Sequence, residues 1–203
     1  KGERVVGADI ILETEGLSKA FHSFKAVDGV SLQIRRGTIH SIIGPNGAGK
    51  TTCFNLLSKF YQPTQGRITF AGQDITNLSP ADVARLGLVR SFQISAVFPN
   101  FTALENVRIA LQRRRGASFD FWRSKRVLGE YEAEALAILR EVELEEYANH
   151  LAGELAYGRK RALEFATTMA LRPQVVLLDE PMSGLGLEDI DRIADLIKAA
   201  SQH

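Results

Sequence analysis

The chain has 203 residues, 45% of them hydrophobic and 24% charged, which is the balance of a folded domain and excludes disorder or low complexity as its main character. Lysine and arginine number 25 against 24 aspartate and glutamate, for a net charge of +1, so the broad basic footprint of a dedicated nucleic-acid binder is missing. The single cysteine, Cys53, allows no internal disulfide and suits a reducing compartment, no apolar run approaches the roughly 18 residues of a membrane span, and the N-terminal stretch with Asp9, Glu13 and Glu15 lacks a signal-peptide core.

Val30, Leu32 and Ile34 alternate with Ser31 and Gln33, the pattern of a half-buried strand, and Arg36-Gly37 turns the chain into Thr38 to Ile43, which reads as a second, buried strand. Ser79-Pro80 reads as an N-cap and first helical residue, with Ala81 to Leu86 helical and Gly87 as the stop. Thr102 and Glu105 have capping-box spacing and open a helix carrying Leu104, Val107, Ile109 and Leu111. Further helices are expected at about 130–142, 159–171 and 188–201, the last with Ile190, Ile193, Ala194 and Ile197 on one stripe. Val175 to Leu178, after Pro173, reads as a buried parallel strand. There is no internal repeat or flexible linker. A strand-rich first third, a helical middle from about 95 to 157 and a return to alternating helix and strand imply an α/β core with a helical insertion. The start at Lys1 and the helical pattern running to His203 suggest a fragment of a longer protein.

Gly44-Pro45-Asn46-Gly47-Ala48-Gly49-Lys50-Thr51 matches the phosphate-loop pattern and lies between an apolar segment and the helical Thr52 to Leu57. Glycines turn the backbone so that N–H groups face phosphate oxygens, the following helix adds its positive end, and Lys50 adds a point charge. Thr51 is placed to ligate Mg²⁺. Val175 to Leu178 then leads into Asp179-Glu180, one carboxylate for the metal and a second to act on an attacking water. Asp179 is expected as metal partner and Glu180 as general base; alone, an acidic pair at a strand end would as readily be a surface loop.

Together these residues resemble the nucleotide-binding subunits of ABC transporters, over nearly the whole chain. The resemblance implies a P-loop NTPase fold: a RecA-like core with a parallel sheet and an N-terminal antiparallel β subdomain (1–94 and 158–203), interrupted by a helical subdomain (95–157). It implies ATP and Mg²⁺ as cofactors, with Gly44 to Thr52 (Thr52 included) around the phosphates, Phe21 stacked on adenine and Val27 beside it. Ser91-Phe92-Gln93 looks like the Q-loop, with Gln93 reaching metal and water. Leu155-Ala156-Tyr157-Gly158-Arg159 falls at the signature position, where Ala156, Tyr157 and Gly158 would face the nucleotide of a partner subunit, and Ser183-Gly184-Leu185-Gly186 falls at the D-loop. Taken singly, Phe21 also reads as a core aromatic, Gln93 as a structural glutamine and Tyr157-Gly158 as a helix start.

The L-A-Y-G run, Phe98-Pro99-Asn100-Phe101-Thr102, Leu104-Glu105-Asn106-Val107 and the basic insertion after them look like the LivG-like group of branched-chain amino-acid importers. Such a subunit works at the cytoplasmic face of the membrane, with a second ATPase subunit, two membrane-spanning permeases and, across the membrane, a periplasmic binding protein; nucleic acid is not among its partners. Urea or amide import, lipid export, and a soluble ATPase of the same fold are the rival readings. The basic residues between Arg113 and Arg126 suit either a solvated loop or contact with a membrane subunit or anionic lipid. Three departures stand out. Ala156 lacks the usual serine hydroxyl, and Gly186 replaces the D-loop aspartate common in the family. The family's switch histidine belongs thirty-odd residues past Glu180, beyond His203, so hydrolysis by these 203 residues alone is expected to be impaired.

Overall fold

The strand read at Val30 to Ile34 is part of a longer one, whose antiparallel partner the sequence reading did not identify. A computed structural model of the chain describes residues 9–91, 97–114 and 125–202. Ile10–Phe21 (β1) and Phe24–Arg35 (β2) pair antiparallel, with Leu12 opposite Ile34, Thr14 opposite Leu32 and Leu17 opposite Val30. Val30, Leu32 and Ile34 are half-buried while Ser31 and Gln33 are exposed, as the period-2 reading requires. Gln65–Phe70 (β3) pairs with the other side of β1, and Gln73–Asp74 (β4) completes an antiparallel sheet of order β2-β1-β3-β4.

The expected buried strand Thr38 to Ile43 is not one. These residues have no strand assignment, and Ile39 and Ile43 are 54% and 92% exposed. Apolar content favours a strand only where a neighbour supplies the ladder and covers the side chains, and among the described residues none pairs with this segment.

The chain divides into two compact units: Lys1–Val89 with Gln174–Leu177 and Ala200–His203, and Arg90–Pro173 with Leu178–Ala199. In the first, the sheet packs on Lys50–Leu57 (α1), whose Cys53, Leu56 and Leu57 join Leu12, Leu17, Ile68 and Phe70 in one core. Each such side chain contributes about 1.5–3 kcal/mol by leaving water. Burial also pushes the Cys53 thiol above its usual pKa, so the residue behaves as a small hydrophobe. Pro80–Leu86 (α2) starts as read: the Ser79 hydroxyl accepts from the Asp82 N–H at 3.2 Å, and Gly87 ends the helix at φ 101°. Leu88–Ser91 (β5) and Val175–Leu178 (β6) form a two-stranded sheet, joined at its start by the N–H groups of Gln174 and Val175 donating to Gly87 O. Only Leu177 of β6 is buried and the rest are half-buried, a correction to the fully buried strand expected; β5 is its one ladder neighbour among the described residues.

The second unit is built on Ala103–Arg114 (α3), Lys125–Glu141 (α4) and Tyr157–Ala170 (α5), followed by Leu187–Ser201 (α6). Leu104, Val107, Leu111, Leu139, Leu163 and Ala166 form its interior. The capping box is reciprocal: the Thr102 N–H donates to Glu105 Oε2 at 2.7 Å and the Glu105 N–H to Thr102 Oγ1 at 3.2 Å. α4 begins five residues ahead of the expected 130. On α6, Ile193 is fully buried and Ile190, Ala194 and Ile197 half-buried. No helix among the described residues is long and apolar enough to cross a membrane.

Candidate functional site

In the first unit the phosphate loop is an exposed turn held from below. Gly47 and Gly49 stand at φ 83° and 85°, and a Cβ at Gly49 would lie 2.2 Å from Ala26 O, so only glycine fits where the loop crosses β2. α1 begins two residues earlier than Thr52, at Lys50, directly on Gly49, with no side chain capping it. Its first-turn N–H groups therefore lack intrahelical acceptors, and Asn46, Gly47 and Thr51 beside them are exposed. Lys50 Nζ donates to the carbonyls of Gly44 and Pro45 at 2.7 and 2.8 Å, folding its charge over the same loop. Backbone donors, a helix N-terminus and an ammonium converge there, the donor set a polyphosphate needs.

Phe21 sits at the end of β1, 38% exposed, with its ring edge-on to Tyr61 at 5.4 Å between centroids. Lys19 Nζ lies 5.3 Å and 5.8 Å from the two ring centroids and donates to Gln62 O at 2.8 Å. Phe21 is thus a surface aromatic and not a core one. Val27 is buried, 3.6 Å from the position a Gly49 Cβ would take; it supports the loop from beneath.

In the second unit, Arg90 Nη2 donates to Asp179 Oδ2 at 2.7 Å, with the two side chains 6% and 12% exposed. Asp179 is therefore held by a buried guanidinium, a partner the sequence reading missed although Arg90 stands three residues before Gln93. Glu180 is exposed and has φ 49°, a left-handed conformation uncommon for a residue with a Cβ. The turn after it is closed by the Ser183 N–H donating to Glu180 O at 3.0 Å. Gln93 lies outside the described residues, as does most of the basic stretch between Arg113 and Arg126.

Ala156 is the N-cap of α5, and no side chain caps that end. Tyr157, half exposed, accepts at its hydroxyl from Arg161 Nε and Nη2 at 3.1 and 2.7 Å and donates to Ser183 O at 3.3 Å. Arg161 Nη1 in turn donates to the buried Glu164 at 2.8 Å. Burial works against the Arg161 charge, but the hydrogen bonds to Glu164 and Tyr157 outweigh it and raise its pKa. Gly158 has no space beside it: a Cβ would come within 2.1 Å of the Asp189 carboxylate, which also takes Arg192 Nη2 at 2.7 Å. The i, i+4 spacing of Tyr157 and Arg161 was a visible signal for their pairing; the approach of Asp189, thirty-one residues on, was not. Asn106 was another omission. It is 2% exposed and fastens the Phe98 to Thr102 loop through Phe98 N, Phe98 O and Thr102 O at 2.7, 3.1 and 2.9 Å.

Residues 27–183 match the ABC transporter family. BraF, a high-affinity branched-chain amino acid transport ATP-binding protein of Pseudomonas aeruginosa, is 44% identical over 95% of this chain and 78% of its own length. LivG of Escherichia coli, of the same description, is 37% identical over the same shares. Among solved structures, the ADP conformation of MJ1267, an ATP-binding cassette of an ABC transporter, aligns with a TM-score of 0.81 and 31% identity, over 95% of this chain and 77% of that one. The dimeric, ADP- and phosphate-bound cassette MJ0796 aligns at 0.77 with 26% identity, over 95% and 83%. The expected α/β P-loop NTPase fold thus holds: this chain belongs to the ABC transporter family, as one of its ATP-binding cassettes.

Proposed function

We propose that the chain is the ATP-hydrolysing subunit of an importer for branched-chain amino acids, acting peripherally at the cytoplasmic face of the membrane with a second ATPase subunit and two permease subunits, and with a periplasmic binding protein on the other side. The observation that carries this is the phosphate loop on α1, in a chain 44% identical to a branched-chain amino acid transport ATPase. The backbone of Gly44 to Thr52 and Lys50 would hold the phosphates, Phe21 with Tyr61 would flank the base, and Thr51, Asp179 and Gln93 would hold Mg²⁺, whose contribution when bound is to neutralise phosphate charge. Glu180 would take the proton of the attacking water. The strained φ of Glu180 and the buried Arg90 under Asp179 support a preset geometry for the pair.

The turn from Ala156 to Gly158 would serve the nucleotide held by the partner subunit. Residues 95–157 would form the subdomain that moves with the permease, and 1–94 with 158–203 the ATPase core. The test is reconstitution of the full-length protein with the permease subunits of such an importer. ATP hydrolysis stimulated by the cognate binding protein loaded with leucine or valine supports the reading; stimulation by urea or an amide alone, or indifference to any binding protein, replaces it with one of the rivals.

A further inference from the structure

The side chains at the start of α5 link that turn to the loop after Glu180. Tyr157 opens α5 with its hydroxyl between two elements: Arg161, which donates to it twice, and the carbonyl of Ser183, to which it donates at 3.3 Å. Arg161 is anchored through Glu164, which is 5% exposed, so the tyrosine end of this chain of hydrogen bonds is fixed to the body of the helix. The ring lies against the loop as well: a Cβ at Gly184, which has φ 75°, would stand 3.4 Å from Tyr157 Cε1 and Oη. That loop begins three residues after Glu180, and the Ser183 N–H is bonded to Glu180 O. One side chain thus touches both the turn at the start of α5 and the segment that follows Glu180.

We propose that Tyr157 is a positioning residue whose hydroxyl couples the Ala156 to Gly158 turn to the Ser183 to Gly186 loop, so that engagement of the turn by the partner's nucleotide is transmitted to the loop and through it to Glu180. This rests on the reading that the turn serves a nucleotide held in trans. The ring gives shape and the hydroxyl gives the link, which separates the two by substitution: Tyr157→Phe keeps the packing on Gly184 and removes the bond to Ser183 O.

The test uses the full-length protein, alone and assembled with its permeases. In Tyr157→Phe, amide hydrogen exchange in the 182–187 peptide should rise about three- to tenfold, the range one lost hydrogen bond provides. ATP affinity of the unpaired subunit should be unchanged, and kcat of the assembled transporter should fall by a similar factor at unchanged KM. Unchanged exchange in 182–187 overturns the link, and raised exchange with wild-type kcat overturns its role in turnover. A wild-type protein that neither binds nor hydrolyses ATP removes the underlying functional reading instead.

Discussion

Four helix starts fall into two kinds. α2 and α3 are closed by hydroxyls, Ser79 and Thr102, each accepting from a first-turn N–H. α1 and α5 begin at Gly49 and Ala156 with no side-chain cap, leaving their first-turn donors to something outside the helix. These two are the ends assigned to phosphate. They also differ from each other. α1 carries Lys50 folded over its loop, a cation that belongs to the site. Beside the second residue of α5 lies the Asp189 carboxylate, already paired with Arg192 at 2.7 Å. An end with its own cation suits a resident nucleotide.

The largest effect should come from the chemistry and not from either helix end. Glu180→Gln in the full-length protein should lower turnover by roughly 10²–10⁴-fold, the range of general-base catalysis, with ATP affinity retained. Single-turnover hydrolysis at the wild-type rate would remove Glu180 from that role. Next in size is Arg90→Met, which leaves the Asp179 carboxylate buried without its cation; denaturant unfolding should show a loss of about 3–5 kcal/mol. If Asp179 is also the metal partner, Mg²⁺ with ATP should recover part of that loss and ATP in EDTA should not; equal protection by both would separate Asp179 from the metal.

Lys50→Ala sharpens the contrast between the two uncapped ends. Loss of a charged hydrogen bond to phosphate costs about 1.5–3 kcal/mol, so calorimetry should give roughly ten- to a hundredfold weaker ATP binding. Lys59 is unsuitable as the control. It is 2% exposed, donates to Gln62 Oε1 at 3.1 Å and to Thr76 O, and burial lowers its pKa against the opposing pull of Asp74; its loss would disturb the fold. Lys25, 65% exposed and bonded to Asp28, is the better comparison, and equal effects of Lys25→Ala and Lys50→Ala would break the assignment. Gly158→Asp, a natural way to block the second end, is also excluded as a clean probe, because any Cβ there strikes Asp189.

What could be read from the sequence was what is contiguous. The phosphate loop, the Ser79-Pro80 start and the Thr102/Glu105 box each lie within eight residues, and their hydrogen bonds form between near neighbours. Thr38 to Ile43 shows where such reading stops. Its apolar residues match those of Val30 to Ile34 in kind, yet Leu12, Thr14 and Leu17 stand opposite the second segment while none of the described residues pairs with the first. A strand is a property of two segments, and periodicity reports on one. The same holds for the site: Arg90 with Asp179, Tyr157 with Ser183 and Gly158 with Asp189 are separated by 89, 26 and 31 positions, and no local pattern announces them.

The smallest prediction bears most directly on the two kinds of helix end. Ala156→Ser places a hydroxyl at the N-cap of α5, where φ −58° and ψ 154° are already the extended geometry a capping serine adopts. If the first-turn donors there are open, the new oxygen accepts from one of them and thermal unfolding of the isolated subunit should rise by the equivalent of about 1 kcal/mol; Ser79→Ala on α2 should lose about the same. The two substitutions are mirror images, so they calibrate each other within one protein. Should Ala156→Ser leave stability unchanged while Ser79→Ala costs its full amount, the donors of α5 are already satisfied, and the end of that helix is closed to phosphate. A gain in the free subunit that shrinks when the subunits pair around ATP is the outcome that fits an end reserved for the partner's nucleotide, because the same donors cannot serve a serine and a phosphate at once.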